Sequence, residues 1–365
     1  MLSIRFSGKR CGTAYFNPIL WEKINKADQE QILFRIANTE PNDPQVTGRT
    51  INYPLQTPFI NDSCHIRSAR LKGVAPEIMM GRARQHHGMG IDPYPNMISK
   101  TGIISVGPKK QGMPQGGALA NVGKEEYLLA DHFSLKASDH GLGYGKYDKI
   151  KYYYNMVPKQ IGFTVFLAES ESDIRLAPYI LSLEAKSEAG TDLASLGISF
   201  GQNVATLHDT RNAFMQGYAH RYLHGLNIGL ISKASGATAE QSKVILRDFE
   251  SAIALNILTP QQRMSYLFLD LAQALHFCQW ITDTLASQFT VQDFTHDFIS
   301  RYFDENDSQE ALDHLAQDPN ISKALVQFNQ ERIQGKKFNI VNYLNDHPMP
   351  FLRFLGQFLG NIILK

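Results

Sequence analysis

The apolar positions of this chain change their rhythm along its length. Between His65 and Gly73 they alternate with polar ones and stop at a glycine, the period-two pattern of a strand. Ile103 to Val106 is a short apolar strand, and Ile161-Gly162-Phe163-Thr164-Val165-Phe166-Leu167 has the composition of a buried one. From Leu193 the spacing becomes helical, with Leu193, Leu196, Ile198, Phe200, Val204 and Leu207 predicting a helix over 193–208. Apolar Ile228–Ile231 and Val244–Leu246 flank the polar stretch 232–242, which predicts a hairpin.

Helix boundaries can be read at several points. Thr259-Pro260-Gln261-Gln262 is a capping-box start with proline at the first helical position, and its helix continues through Leu267, Leu271, Leu275 and Trp280. Further starts are expected near Thr290, Ser308, Ser322 and Pro350. Nearer the N-terminus, Lys26 to Asn38 is amphipathic. Asn121 is placed to cap a helix over 122–136, with Glu125 and Glu126 in its first turns and Tyr127, Leu128, Ala130 and Phe133 as its apolar stripe. Glu40 to Pro58, rich in Pro and Asn, reads as a connector, and Gly141 to Asn155 as a bend rich in Gly and Tyr.

Composition narrows the class. With 365 residues and 43% hydrophobic content the chain can bury a large core, which excludes disorder. Its 36 Lys and Arg against 35 Asp and Glu give +1 overall, so no global field draws it to nucleic acid or to an anionic membrane, and nucleic-acid-binding motifs are absent. Cys11, Cys64 and Cys278 are odd in number and far apart, without zinc or disulfide-framework spacing, which points to a reducing compartment. Met1 to Tyr15 lacks the continuous apolar core of a signal peptide, and Phe351 to Leu364 is too short and too interrupted by Arg353 and Gln357 to span a membrane. The expected location is the cytoplasm, or a host cytosol if the chain is a bacterial effector whose secretion signal these criteria do not detect.

Candidate chemistry then collects in a few places. The His65–Gly73 strand delivers Lys72 to its end, and Arg82 and Arg84 follow closely. The segment from Gly107 to Gly117 matches neither the P-loop nor G-x-G-x-x-G and reads as a surface loop, where Lys109 and Lys110 offer a basic pocket to an anionic regulator. Glu126 lies on the helix after that loop, and Arg175 on a polar turn after the 161–167 strand. The stretch His220-Arg221-Tyr222-Leu223-His224-Gly225-Leu226-Asn227 fits the protein-kinase catalytic-loop motif H-R-D-x-x-x-x-N without a gap, with Tyr222 on the aspartate position. Asp248-Phe249-Glu250, after an apolar strand, fits D-F-G with glutamate in the glycine position. The chemistry needs such a pair because a nucleoside triphosphate must be neutralised before an oxygen nucleophile approaches phosphorus. Magnesium does this when hard oxygen ligands, here Asn227 and Asp248, hold it.

Taken together these motifs resemble the protein-kinase-like superfamily, and their order looks most like the selenoprotein O family of protein adenylyltransferases. The residues that carry the similarity are Leu71-Lys72-Gly73, Arg82, Lys124-Glu125-Glu126-Tyr127-Leu128, Ser172-Asp173-Ile174-Arg175, the His220-to-Asn227 loop and Asp248-Phe249. The resemblance implies an α+β, two-lobed protein-kinase-like fold, with an N-terminal lobe over 1–166 and a mostly helical C-terminal lobe and extension over 167–365. It implies that Lys72 pairs with Glu126, that Arg82 and Arg175 bind the phosphates of ATP, and that Asn227 and Asp248 hold Mg2+. A protein substrate would then be phosphorylated, or adenylylated as in that family. Tyr222 cannot act as a carboxylate base, so phosphorylation needs a substitute such as His220 or His224. Leu226 stands where the family has an aspartate before the metal asparagine, and its glycine-rich N-terminal signature is missing. A second resemblance, carried by His224-Gly225-Leu226-Asn227 and Leu246-Arg247-Asp248-Phe249, is to siderophore synthetases that adenylate a carboxylate. A third reading, favoured by Tyr222 and Glu250, is a nucleotide-binding pseudokinase scaffold.

Overall fold

The computed structural model of the protein describes residues 1–40, 43–46, 50–62, 64–76, 96–107, 118–133, 139–154, 157–170, 174–186, 193–231, 243–285 and 294–363. In chain order these begin with β1 (Leu2–Phe6), β2 (Gly12–Phe16), α1 (Pro18–Lys23), α2 (Lys26–Asn38), β3 (Thr50–Asn61) and β4 (Cys64–Lys72). Next come β5 (Asn96–Ile98), β6 (Ile103–Val106), β7 (Ala118–Leu119), α3 (Ala120–Phe133), β8 (His140–Tyr154) and β9 (Val157–Ala168). The remainder is α4 (Leu176–Lys186), α5 (Leu193–His208), β10 (Tyr218–Ala219), β11 (Ile228–Ile231), β12 (Lys243–Leu246), β13 (Ile253–Ala254), α6 (Pro260–Leu285), α7 (Phe294–Tyr302), α8 (Glu305–Ala316), α9 (Ile321–Ile333), β14 (Phe338–Asn339), α10 (Ile340–Asn345) and α11 (Pro350–Ile363). The class is α+β. Among the described residues no helix is long and apolar enough to cross a membrane. None of the three cysteines is in a disulfide.

The chain divides into two compact units, the first comprising Met1–Gln85, Gln111–Ile174 and Arg247–Glu250, the second His86–Lys110, Arg175–Leu246 and Ser251–Lys365. Four residues around Asp248, Arg247–Glu250, belong with the strands.

The first unit is built on an antiparallel sheet in the order β1-β2-β8-β9-β4-β3, with β7 added to β9. Its core includes Phe16 stacked on Trp21 at 3.9 Å and the cluster of Phe6, Tyr147 and Phe163. Two segments read as loops from composition are strands here. The Pro- and Asn-rich connector contains β3, because β3 is the sheet edge, where a proline forfeits no ladder bond on its open side. The register breaks between Pro54 and Phe59. There, buried Asp28 of α2 accepts from Tyr53 Oη at 2.6 Å, Gln56 N at 3.0 Å and Thr57 N at 3.3 Å. The Gly- and Tyr-rich bend is β8, paired on both sides. A Cβ at Gly145 would lie 2.2 Å from the Phe163 ring, so glycine there answers a close approach and not a turn.

The second unit centres on α6, a helix of 26 residues buried along most of its length. Its start is reciprocal: Thr259 Oγ1 accepts from Gln262 N, and Gln262 Oε1 accepts from Thr259 N, both at 3.2 Å. The β11–β12 hairpin lies against α5, where Asn203 Nδ2 donates to Val244 O at 2.6 Å. The helices expected near Ser308, Ser322 and Pro350 are α8, α9 and α11, and α7 begins at Phe294.

Candidate functional site

Lys72 ends β4, opposite Thr164 of β9, with only 3% of its surface exposed. The helix that faces it is α3. It starts at Ala120, straight out of β7, so Asn121 is not its cap and Glu126 falls past the first turn, on the buried face with Gly123, Tyr127, Ala130 and Phe133. Gly123 sets how near that face comes: a Cβ there would meet Thr164 Oγ1 at 2.9 Å, and Thr164 Oγ1 donates to Gly123 O at 3.1 Å. This approach brings Glu126 Oε1 within 2.7 Å of Lys72 Nζ, both side chains buried.

The same ammonium donates to Asp248 Oδ1 and lies 3.5 Å from Glu250 Oε2. Three carboxylates therefore surround one lysine. Burial pushes the Glu126 carboxyl above its usual range. The Lys72 charge opposes that shift, and the negative charges of Asp248 and Glu250 add to it. Glu126 Oε2 is buried without a hydrogen-bond partner among the described residues. One ligand oxygen from each of Glu126, Asp248 and Glu250 lies within 4.8 Å of the others, the spacing and hard-oxygen donor set that suit a divalent cation. Asp248 has φ 68, in the left-handed region that few non-glycine residues occupy.

Of the residues singled out from the sequence, Lys72, Glu126 and Asp248 meet in the first unit. Arg82 lies outside the described residues, as do Lys109 and Lys110. Asn227, Arg175 and His220 belong to the second unit. There Asn227 is buried and its Nδ2 donates to Tyr222 O at 3.0 Å. Arg175 pairs with Gly229 in a β-bridge and donates to Leu226 O at 2.7 Å, so at least one of its N–H groups braces the loop. His220 has no exposed surface, and its Nδ1 accepts from Tyr222 N at 3.4 Å. A proton acceptor for an incoming hydroxyl must be reachable. Of the two substitutes the sequence offers, His220 is buried and His224 is part-exposed.

Two residues escaped sequence reasoning. Glu250 was visible only as a departure from glycine. Its carboxylate two positions after Asp248 was the available signal. Asp270 sits in the apolar run Phe268-Leu269-Asp270-Leu271-Ala272 of α6, fully buried. Its oxygens accept from His220 N and, at 2.7 Å, from Arg221 N, which has φ 75, and lie 3.2 Å from His208 Nε2. Gln273, one turn on, accepts from Leu223 N at 2.7 Å. A lone carboxylate in an apolar helix must find donors. Here they are the backbone of the 220–227 loop.

No protein-family model matches the chain, and no curated protein matches it. A solved structure of WaaP in complex with acyl carrier protein aligns at 10% identity over 87% of this chain and 98% of that chain, with a TM-score of 0.38, too loose a likeness to carry an argument.

Proposed function

We propose that this chain is a protein-kinase-like transferase that uses Mg-ATP to modify a protein hydroxyl, by phosphorylation or by adenylylation (AMPylation). The observation that carries the reading is the buried Lys72 ammonium bonded to Glu126 of α3 and to Asp248. A buried lysine, held by a helix glutamate and adjacent to the aspartate of an Asp-Phe motif, suits the binding of phosphate oxygens.

In this reading Lys72 donates to the phosphates and Glu126 keeps its ammonium oriented. Asp248 and Asn227 are the metal ligands the motifs assign, and Glu250 and the unpartnered Oε2 of Glu126 add hard oxygen donors that fit a divalent cation. Magnesium bound there would supply neutralisation of phosphate charge. Loose, metaphosphate-like transfer asks little of a base, so Tyr222 in the aspartate position is compatible with activity. Gln273 and Asp270 hold the loop that carries Asn227, and Arg175 also bonds to it.

The test is incubation of the protein and a generic protein acceptor with Mg-ATP labelled at either the α- or the γ-phosphate. Label from the α-position alone establishes adenylylation, and label from the γ-position alone establishes phosphorylation. Lys72→Met and Asp248→Ala should each abolish transfer; full activity in either variant would sink the reading. Nucleotide binding without transfer would instead support the pseudokinase scaffold, or a carboxylate-adenylating ligase awaiting its own acceptor.

A further inference from the structure

We infer that Asp139 and Arg247 are positioning residues: with Arg70 they form a buried ionic clamp that fixes Asp248 at Lys72. The inference rests on the function proposed for that site. Arg70 and Lys72 are alternate residues of β4 and so share one face of the strand. Arg70 Nη2 lies 2.6 Å from Asp139 Oδ2, and Arg247 Nε lies 3.2 Å from the same oxygen. The three side chains are 1% to 3% exposed. One carboxylate oxygen thus joins the residue two before Lys72 to the residue one before Asp248.

Each arginine is held further. The Arg70 guanidinium lies 4.6 Å from the ring centre of Phe166, its ladder partner across β4 and β9, and Arg247 Nη1 donates to Ile174 O at 3.4 Å. On the far side of Asp248, buried Phe249 stacks on Phe133 at 5.9 Å, and Phe133 belongs to α3, the helix that carries Glu126. Asp248 is therefore pinned at both neighbours, one to the lysine strand and one to the glutamate helix, while its own φ of 68 is unfavourable. A strained residue persists only where its surroundings over-determine it. Burying three charges is a poor way to gain stability, since apolar side chains of similar volume do as well or better. What ionic pairing adds here is a tether between the two segments.

The experiment compares wild-type protein with Arg247→Met, which leaves the Arg70–Asp139 pair intact and neutralised, and with Arg247→Lys, which keeps the charge but not the fork. Amide exchange by mass spectrometry is read over 247–251 and over β4 and β9, and Mn2+ binding to nucleotide-free protein is titrated by electron paramagnetic resonance. For Arg247→Met we expect exchange over 247–251 to rise about tenfold and Mn2+ affinity to fall about tenfold, with β4 and β9 protected as in wild type and Arg247→Lys between the two. Wild-type exchange over 247–251, or a rise spread equally over β4 and β9 with Mn2+ affinity unchanged, would overturn the clamp. If Arg247→Met does not fold, Arg247→Lys decides on the same readout, with a rise of about threefold expected and no rise overturning the clamp. Wild-type protein that neither binds Mn2+ nor transfers label refutes the proposed function instead, and the exchange data still judge the clamp.

Discussion

Asp270 makes a demanding claim on the second unit. Its two oxygens serve three donors, the backbone N–H groups of His220 and Arg221 and the ring of His208. His208 in turn pairs with Tyr302 Oη at 2.8 Å, whose own ionisation burial and the Asp270 charge push well above the ordinary phenol range. Asp270→Asn keeps the shape but replaces one acceptor oxygen with a donor, so at least one donor is left facing an NH2 group. A hydrogen bond to a charged group contributes about 1.5–3 kcal/mol, and a buried donor without an acceptor costs about 1–3 kcal/mol. We expect a loss of about 3 kcal/mol for Asp270→Asn, on the scale of one such bond, and more for Asp270→Ala, which removes every acceptor. At roughly 2–4 °C per kcal/mol for a unit of this size, the Asp270→Asn melting temperature should fall by about 6–12 °C. Circular dichroism melts read the shift, and amide exchange at 220–224 should rise before global unfolding. A melting temperature within about 2 °C of wild type would refute the anchoring role.

The site makes two further predictions. Glu250→Gln should weaken Mn2+ binding to the nucleotide-free protein about tenfold, and an unchanged affinity would remove Glu250 from the cation site. The raised pKa of Glu126 has a sign that can be tested in metal-free urea titrations. Because the folded state holds that proton more tightly than the unfolded chain, its contribution to stability is full below the ordinary value of 4.5 and is lost as pH rises through the folded value. The stability of wild type relative to Glu126→Gln should therefore decline from pH 4.5 upward, and parallel pH curves would contradict the assignment.

Much of the framework was legible because periodicity reports burial directly. The 193–208 helix, the antiparallel pairing of 228–231 with 243–246 and the capped start of α6 appear where the pattern puts them. Composition misled where a residue type has two uses. Proline at an edge strand and glycine under an aromatic ring look like connector and bend when only the chain is in view. Lys72, Glu126 and Asp248 were readable from motif order. Their convergence depends on Gly123 admitting α3 to β9, a contact 41 residues apart in sequence. Asp139 and Asp270 carry no motif, and Arg247 enters only through the Arg-Asp-Phe run of the second resemblance. Their roles come from partners far away in the chain, as with Asp270 and His220, 50 residues apart.

The outer edge of β3 bears on how this chain behaves when crowded among copies of itself. An open strand edge offers a row of N–H and C=O groups on which a second polypeptide can crystallise into continuous sheet. Between Pro54 and Pro58 this edge has little to offer: the two prolines have no N–H, and those of Gln56 and Thr57 are already taken by Asp28. The carboxylate of α2 thus works as a stopper at the sheet margin, and a variant with Asp28→Ala should precipitate at concentrations that leave the wild type clear.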